Sequence, residues 1–228
     1  MSDDLISLAI ETSSRVGCVT LARDNEILVT EKLPPQRRHR VDLLPTIDRM
    51  FREQNLSPTD LKEAYVSLGP GSFTGLRIGI ATVQMLAMAG NVQVVGVPTL
   101  PVVAQNVLAD SIMKLAVALN LKDDTVYSAT YTPAEHGWKQ ADEPALRTMK
   151  QIEALRADAV VGHPLPDGDT SMQILPESLA QPNSRAVWQL GRRAAHAEQW
   201  TDLNTLFPIY ARQPEAVSLW EARKAKGS

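Results

Sequence analysis

An α/β architecture in two related halves is expected of this chain, on three features of its sequence. Short apolar or alternating runs interleave with helical patterns from Leu5 to Ala109, the rhythm of strands crossed by helices. The pattern restarts near Lys114, where an apolar run, a turn and an alternating run repeat the opening hairpin. At 228 residues there is material for one large domain or two small ones with a sizeable core.

The apolar run Leu5 to Glu11 reads as a buried strand. Val16 to Ala22 alternates after the turn Thr12-Ser13-Ser14-Arg15, and Glu26 to Leu33 gives a third antiparallel strand after Asp24-Asn25. Val41 to Gln54 reads as a helix with Leu43, Leu44, Ile47, Met50 and Phe51 on one face and Pro45 near its start. Ala64 to Leu68 is the fourth strand, Thr74 to Ala89 the second helix, and Val92 to Val97 the fifth strand, closed by Pro98. Thr99 to Ala109 follows as a helix, with Pro101 tolerated in its first turn. After the restart, Lys114 to Leu121 and Thr125 to Tyr131 flank the turn Lys122-Asp123-Asp124, so that Leu119-Asn120-Leu121 falls where Ile10-Glu11-Thr12 fell. Pro133 to Asn183 is rich in Pro, Gly and Asp, with a short strand at Ala159 to Gly162. Ser184 to Gln199 is an amphipathic helix, Leu206 to Gln213 is extended, and Pro214 to Lys226 is a charged helix carrying Trp220. The halves are placed at 1–110 and 111–213, with the helix at 214–226 packing back on the first.

Composition narrows the partners. Apolar residues make up 44% and charged residues 21%, a globular balance. The net charge of −3 gives no general attraction for nucleic acid or anionic membranes, so any service to RNA is indirect. The basic groups Arg37-Arg38-His39-Arg40 and Arg223, Lys224, Lys226 are too small to reverse this. The lone Cys18 permits no disulfide within the chain and reads as a small buried hydrophobe. An acidic start, Met1-Ser2-Asp3-Asp4, and the lack of a run of ~20 apolar residues lead to the expectation of a cytoplasmic protein without a membrane partner.

The stretch Gly69-Pro70-Gly71-Ser72-Phe73-Thr74-Gly75-Leu76-Arg77 joins a strand to a helix. Backbone N–H groups at such a helix start suit an anion such as phosphate. Yet no lysine lies between Lys62 and Lys114, as a P-loop needs, and Thr74 stands where a dinucleotide fingerprint needs glycine. Gly75 and Gly79 share one helical face, which favours close approach of another backbone. Both readings stand at this point. The helix that follows is apolar nearly all round, its polar side chains between Leu76 and Ala89 being Arg77, Thr82 and Gln84. Its second side calls for a covering layer of the same chain or for a protein partner, for which Met85 and Met88 give an adaptable surface.

Catalytic chemistry is sparse. His39, His136, His163 and His196 form no metal-ligand spacing, and Ser72 does not sit in GxSxG. Glu11, ending the first strand, is the best carboxylate for a metal-water or phosphate role, but Asn120 at the matching place cannot ionise. No catalytic set and no metal site is expected.

Leu8-Ala9-Ile10-Glu11-Thr12-Ser13, the glycine turn through Arg77-Ile78-Gly79, Val95-Gly96-Val97-Pro98-Thr99-Leu100, Val126-Tyr127, and Pro208-Ile209-Tyr210-Ala211-Arg212 with Glu215-Ala216 and Trp220 together resemble one family. This is the TsaB (YeaZ) family, accessory subunits of bacterial tRNA threonylcarbamoyladenosine synthesis. The resemblance implies an actin/Hsp70-like (ribonuclease H-like) duplicated fold. It also implies a non-catalytic subunit that supports a TsaD-like catalytic subunit, with a TsaE-like ATPase in the full complex, in modifying position 37 of ANN-decoding tRNAs. Alone, the family pairs with itself. The metal-binding histidines of TsaD are replaced by Thr99 and Val103, which cannot stand in for imidazole. Glu11, where relatives have Asp, and Asn120-Leu121-Lys122 and Thr125, where they have Asp-Ala-Arg and Glu, depart from the family pattern. Glu11, Thr12 and Asn120 are thus candidates for a degenerate nucleotide cleft, with ATP or ADP expected only at an assembled interface.

The partner interface is expected at Leu43, Ile47, Gly75, Leu76, Gly79, Ile80, Val83 and Leu86, where arginine at Gly79 or Val83 would abolish association by burying an unpaired charge. The segment Gly69, Pro70, Gly71, Ser72, Phe73, Thr74, Gly75 and Arg77 is read as a close-packing hinge, with anion binding as the alternative. The competing function is an actin-like ATPase or kinase holding phosphate at this turn. A peptidase reading finds no nucleophile and base to support it.

Overall fold

The computed structural model describes residues 4–34, 39–122, 125–165 and 170–211, with backbone alone at 39–41 and 120–122. The helix expected at 214–226 lies outside the described residues. The first sheet is built from β1 (Ile6–Glu11), β2 (Cys18–Arg23), β3 (Glu26–Lys32), β4 (Leu61–Gly69) and β5 (Gln93–Pro98), in the order β3-β2-β1-β4-β5. β1 runs antiparallel to β2, with Glu11 opposite Cys18, and parallel to β4, with Ile10 opposite Val66. Helix α1 (His39–Glu53) leads into β4, α2 (Phe73–Gly90) into β5, and α3 (Thr99–Ala104) leaves β5.

The second sheet contains β6 (Leu115–Lys122), β7 (Thr125–Ala134), β8 (Gly137–Gln140), β10 (Ala159–Val161) and β11 (Gln173–Ile174), while β9 (Ala145–Arg147) pairs with the far end of β7. Read from its antiparallel edge, the order β8-β7-β6-β10-β11 reproduces β3-β2-β1-β4-β5, with β10 parallel to β6 as β4 is to β1. Helix α4 (Met149–Glu153) stands where α1 stood, shortened to little over a turn. The restart near Lys114 is therefore a true duplication of topology, and the fold is the actin-like one. The repeat is reduced because Pro, Gly and Asp between 133 and 183 leave little room for long helices.

Each β1 side chain is buried, so periodicity shows only in what each face meets. Ile6, Leu8 and Ile10 join Leu43, Ile47, Met50 and Phe51 of α1 and Ile80 and Val83 of α2 in one core. Ala9, with Tyr65, Val95 and Val97, faces the other way into a core completed by helix α5 (Ser184–His196) through Ala186, Val187 and Trp188. Although residues 184–196 fall in the stretch assigned to the second half, α5 packs on the first sheet. Polar clamps fix it there: Trp188 Nε1 donates to Ser7 Oγ at 3.0 Å, and Arg192 pairs with Glu63, which also accepts from the Tyr65 hydroxyl. In exchange, α3 lends Leu100, Val103 and Ala104 to the core of the second sheet, beside Leu115, Val117 and Trp138.

Helix α3 stops at Ala104 rather than running to Ala109. Asn106 Nδ2 instead donates to the carbonyls of Leu179 and Gln181, both at 2.8 Å, and Trp138 Nε1 takes the Val107 carbonyl. These bonds give the chain an alternative to further helix. Helix α2 ends where Asn91 adopts a left-handed φ of 53°. By length and composition α2 also matches a short membrane span, a match that counting consecutive apolar residues misses. Seven of its residues, from Gly75 to Ala87, are nevertheless buried in the protein.

At Gly191 an added Cβ would overlap the Tyr65 ring. Gly191→Ala is expected to destabilise the protein by about 1–3 kcal/mol, the usual cost of overpacking. The check is the midpoint of urea unfolding, which should fall without a change in slope.

Candidate functional site

The end of β1, the Thr12-Ser13 turn and the glycine turn before α2 form one unit. Ser72 N–H donates to the Ser13 carbonyl at 2.6 Å, Gly75 N–H to Ser72 Oγ at 3.2 Å, and Leu76 N–H to the Ser72 carbonyl at 2.9 Å. A Cβ at Gly71 would overlap the Ser13 carbonyl oxygen, one at Gly75 the Thr12 carbonyl oxygen, and one at Gly79 the Thr12 hydroxyl. Gly69, at a φ of 101°, adopts backbone that favours glycine, and the Gly69–Pro70 peptide is cis. The helix start thus grips the protein's own backbone. Two N–H groups that a phosphate would need are already given to Ser13 and Ser72, which favours the close-packing reading of this segment.

Glu11 is fully buried behind the turn. Its Oε1 accepts from Ser13 N–H at 2.5 Å, while Oε2 has no hydrogen-bond partner among the described residues. Burial pushes its carboxyl above the ordinary value of 4.5, against the opposing pull of the hydrogen bond from Ser13. The hydroxyls of Thr12, Ser13, Ser67 and Thr99 are likewise buried without hydrogen-bond partners among the described residues. Ser13 and Thr99 open, with Gly71, Leu119, His163 and Gln181, on a cavity of about 140 Å³ between the two halves. His163 Nε2 lies 3.0 Å from Glu177 Oε1. Asn120 pairs through its backbone with Val126, and its side chain is outside the description.

A metal of the kind TsaD uses does not fit this end of β5. Thr99 supplies one hydroxyl and Val103 supplies no donor, being packed in the second core. Among the described residues no cluster of three or more His, Cys, Asp or Glu side chains forms.

The expected interface residues need correction. Leu43, Ile47, Ile80 and Val83 are buried in the first core, Gly75, Leu76 and Gly79 are buried beside it, and Leu86 is half-buried against it. The seven buried residues offer a partner little surface, Leu86 keeps part of its own, and arginine at Gly79 or Val83 would disrupt the first half instead of reporting on association. The reason is phase: the more apolar face of α2, together with its glycines, is the one the sheet claims.

The outer face carries Phe73, Arg77, Ala81, Met85 and Met88, all exposed, with Met88 81% accessible. Leu44 of α1 is also exposed, at 45%. A strap at 202–211 crosses this side. Gln84 Nε2 donates to the carbonyls of Leu203 and Leu206, Ile209 N–H donates to the Leu68 carbonyl at 2.7 Å, and Leu206 is fully buried. Tyr210 meets Phe73 with ring centroids 5.3 Å apart, and Arg77 lies 3.9 Å over the Phe73 ring while its Nε donates to the Tyr210 hydroxyl at 3.1 Å. Between strap and helix lies a cavity of about 570 Å³ lined by Ile80, Ala81, Phe207 and Pro208. Tyr210 belongs to the family motif at Pro208-Ile209-Tyr210 and Phe207 stands just before it, but no local pattern places either against α2.

Comparison with known proteins agrees with this architecture. Residues 33–164 match the family model described as TsaD: tRNA N6-adenosine threonylcarbamoyltransferase. The tRNA threonylcarbamoyladenosine biosynthesis protein TsaB of Escherichia coli is 32% identical over 137 residues, 60% of this chain and 59% of that protein. TsaB of Bacillus subtilis is 29% identical over 43% of each chain, so this chain aligns with less than two thirds of either relative. The structure of YeaZ from Pseudomonas aeruginosa superposes with a TM-score of 0.75 at 22% identity, covering 90% of this chain and 99% of that one, a likeness of fold.

The raised carboxyl of Glu11 has a definite sign. A group that holds its proton more tightly when folded contributes stability that is full below its unfolded value of 4.5 and is lost as pH rises through the folded value. Glu11→Gln keeps the acceptor for Ser13 N–H and removes the titration. Relative to this variant, the wild type is expected to lose stability as pH climbs above 4.5, as measured by thermal melts from pH 4 upward. A constant difference across that range would contradict it.

Proposed function

Because this chain belongs to the TsaB/YeaZ family, with a TsaD-type domain at residues 33–164, we propose that it supports tRNA threonylcarbamoyladenosine synthesis as a non-catalytic scaffold. It acts by holding a TsaD-like catalytic subunit. The observation that carries the reading is the outer face of α2. A helix whose inner face already fills the first core still exposes Phe73, Ala81, Met85 and Met88 in one stripe. Contiguous apolar surface of this kind marks an interaction site, and methionines adapt to a partner's shape. In isolation the same face serves a second copy of the chain. A TsaE-like ATPase joins the assembled complex, and tRNA is met through the partners, in keeping with the net charge of −3.

The reading as an independent ATPase is less well supported. The cavity at the glycine turn, about 140 Å³, falls below the ~300–1,000 Å³ of ordinary ligand pockets, and the neighbouring one of about 600 Å³, lined by Arg15, Cys18, Lys32 and Asn183, does not include the turn. Ser72 and Gly75 N–H groups at the helix start are engaged within the chain. Nucleotide therefore belongs, in this account, to a site completed by another subunit.

Two outcomes are expected in a reconstituted reaction containing a TsaD-like subunit, a TsaE-like ATPase, tRNA and threonylcarbamoyl-adenylate. Omitting this chain should sharply reduce modified adenosine. Met88→Asp and Met85→Asp should leave the fold intact, since both side chains are exposed, and weaken association by about 2 kcal/mol or more, the scale of an interface hot spot. Undiminished modification without the chain would end the scaffold reading.

A further inference from the structure

Glu11 is a buried carboxyl with no catalytic task in the scaffold role, yet it stands at the start of a continuous chain of contacts. Its Oε1 receives Ser13 N–H, the Ser13 carbonyl receives Ser72 N–H, and the Ser72 hydroxyl receives Gly75 N–H in the first turn of α2. Side-chain-free positions at Gly71 and Gly75 let the Ser13 and Thr12 carbonyls seat against that turn. In that turn and the next, Phe73 and Arg77 start the exposed stripe and hold Tyr210 of the strap. We propose that Glu11 is a positioning residue for α2: by fixing Ser13 it sets where the helix begins, and so sets the geometry of the outer face at Phe73, Arg77 and Tyr210. The part concerning affinity rests on the scaffold reading; the part concerning helix position does not.

The side chain does this through its acceptor oxygen. The groups around it are Ser13 and Ser14 of the turn, Ser67 on β4 and Cys18 on β2, whose own thiol is pushed up by burial and by Glu11, with Lys32 acting on the thiol in the opposite sense. No cation is recorded in contact with the Glu11 carboxyl among the described residues. An amide at position 11 reproduces the acceptor that Ser13 N–H needs, whereas alanine leaves that N–H buried without one. The Ser13 N–H bond favours the ionised carboxylate while burial opposes it, so the acceptor oxygen and not the proton is what Ser13 requires.

The test is amide hydrogen exchange of the full chain, read at Ser72, Gly75 and Leu76, for the wild type, Glu11→Gln and Glu11→Ala. Amides of β6 and β10 in the second sheet are the control for global unfolding. Glu11→Ala is expected to lose protection at Ser72 to Leu76 by roughly tenfold or more, the mark of local opening, with β6 and β10 unchanged, while Glu11→Gln stays at wild-type protection. Equal protection in all three proteins overturns the proposal, as does loss in Glu11→Gln equal to that in Glu11→Ala. If Glu11→Ala does not fold, Glu11→Met, which fills the same space without an acceptor, decides. Lost protection at Ser72 to Leu76 in Glu11→Met with β6 and β10 unchanged supports the proposal, and wild-type protection there overturns it. Failure of the wild-type chain to bind a TsaD-like subunit would remove the scaffold reading and leave the exchange result to judge helix position by itself.

Discussion

The structure depends on a contact made without side chains, the approach of the Thr12-Ser13 backbone to the first two turns of α2. Glycine at 71, 75 and 79 lets two carbonyl oxygens and a threonine hydroxyl occupy the space that Cβ atoms would take. That approach lets α2 lie against the sheet, with Ile80 and Val83 driven into the first core and Leu76 fully buried. It also uses the helix N-terminus for internal hydrogen bonding, since Ser72 N–H and Gly75 N–H answer to Ser13 and Ser72. The same geometry that resembles a phosphate cradle in sequence therefore works as a joint.

The two halves are tied by exchange as well as by contact. α3 leaves the first sheet to fill the second core, and α5 returns from the second half to cover the first sheet. The buried Arg192–Glu63–Tyr65 group and the Trp188–Ser7 bond fix the returning helix. Breaking such a group by removing one partner leaves buried polarity unpaired, so its role is to specify one seat for α5 more than to add net stability. With α5 on one face of the sheet and α1 and α2 on the other, the outer side of α2 is left as the large apolar surface of the first half. The strap ending in Phe207 and Tyr210 covers it in part.

Strand content, the repeat and most element bounds can be read in the sequence because each rests on local pattern. β1 to β5 fall within a few residues of their expected positions, and β6 and β7 repeat the opening hairpin. What the sequence withholds is long-range. Nothing local says that Ser184–His196 covers the first sheet, because that seat is defined by Tyr65, Trp188 and Gly191 meeting across the chain. The phase of α2 is hidden for a related reason: a helix apolar nearly all round has no polar face to mark the outside. Glycine, chosen for close packing, marks the inside, whereas the exposed methionines look as apolar as core residues. Glu11 was legible as unusual, and the resemblance placed Thr99 at a former ligand position. The partnerless hydroxyls of Ser13 and Ser67 around them needed coordinates.

The central claim is that the outer face of α2, and not the cleft between the halves, meets the catalytic subunit. Methyl-labelled methionine spectra test it most directly, because the methionines sample distinct places: Met85 and Met88 on the outer face, Met50 in the core, and Met113, 71% exposed, at the edge of the second half. On addition of a TsaD-like subunit, the account predicts that the Met85 and Met88 signals shift or broaden while Met50 and Met113 hold. A response at Met113 with Met85 and Met88 unmoved would contradict it.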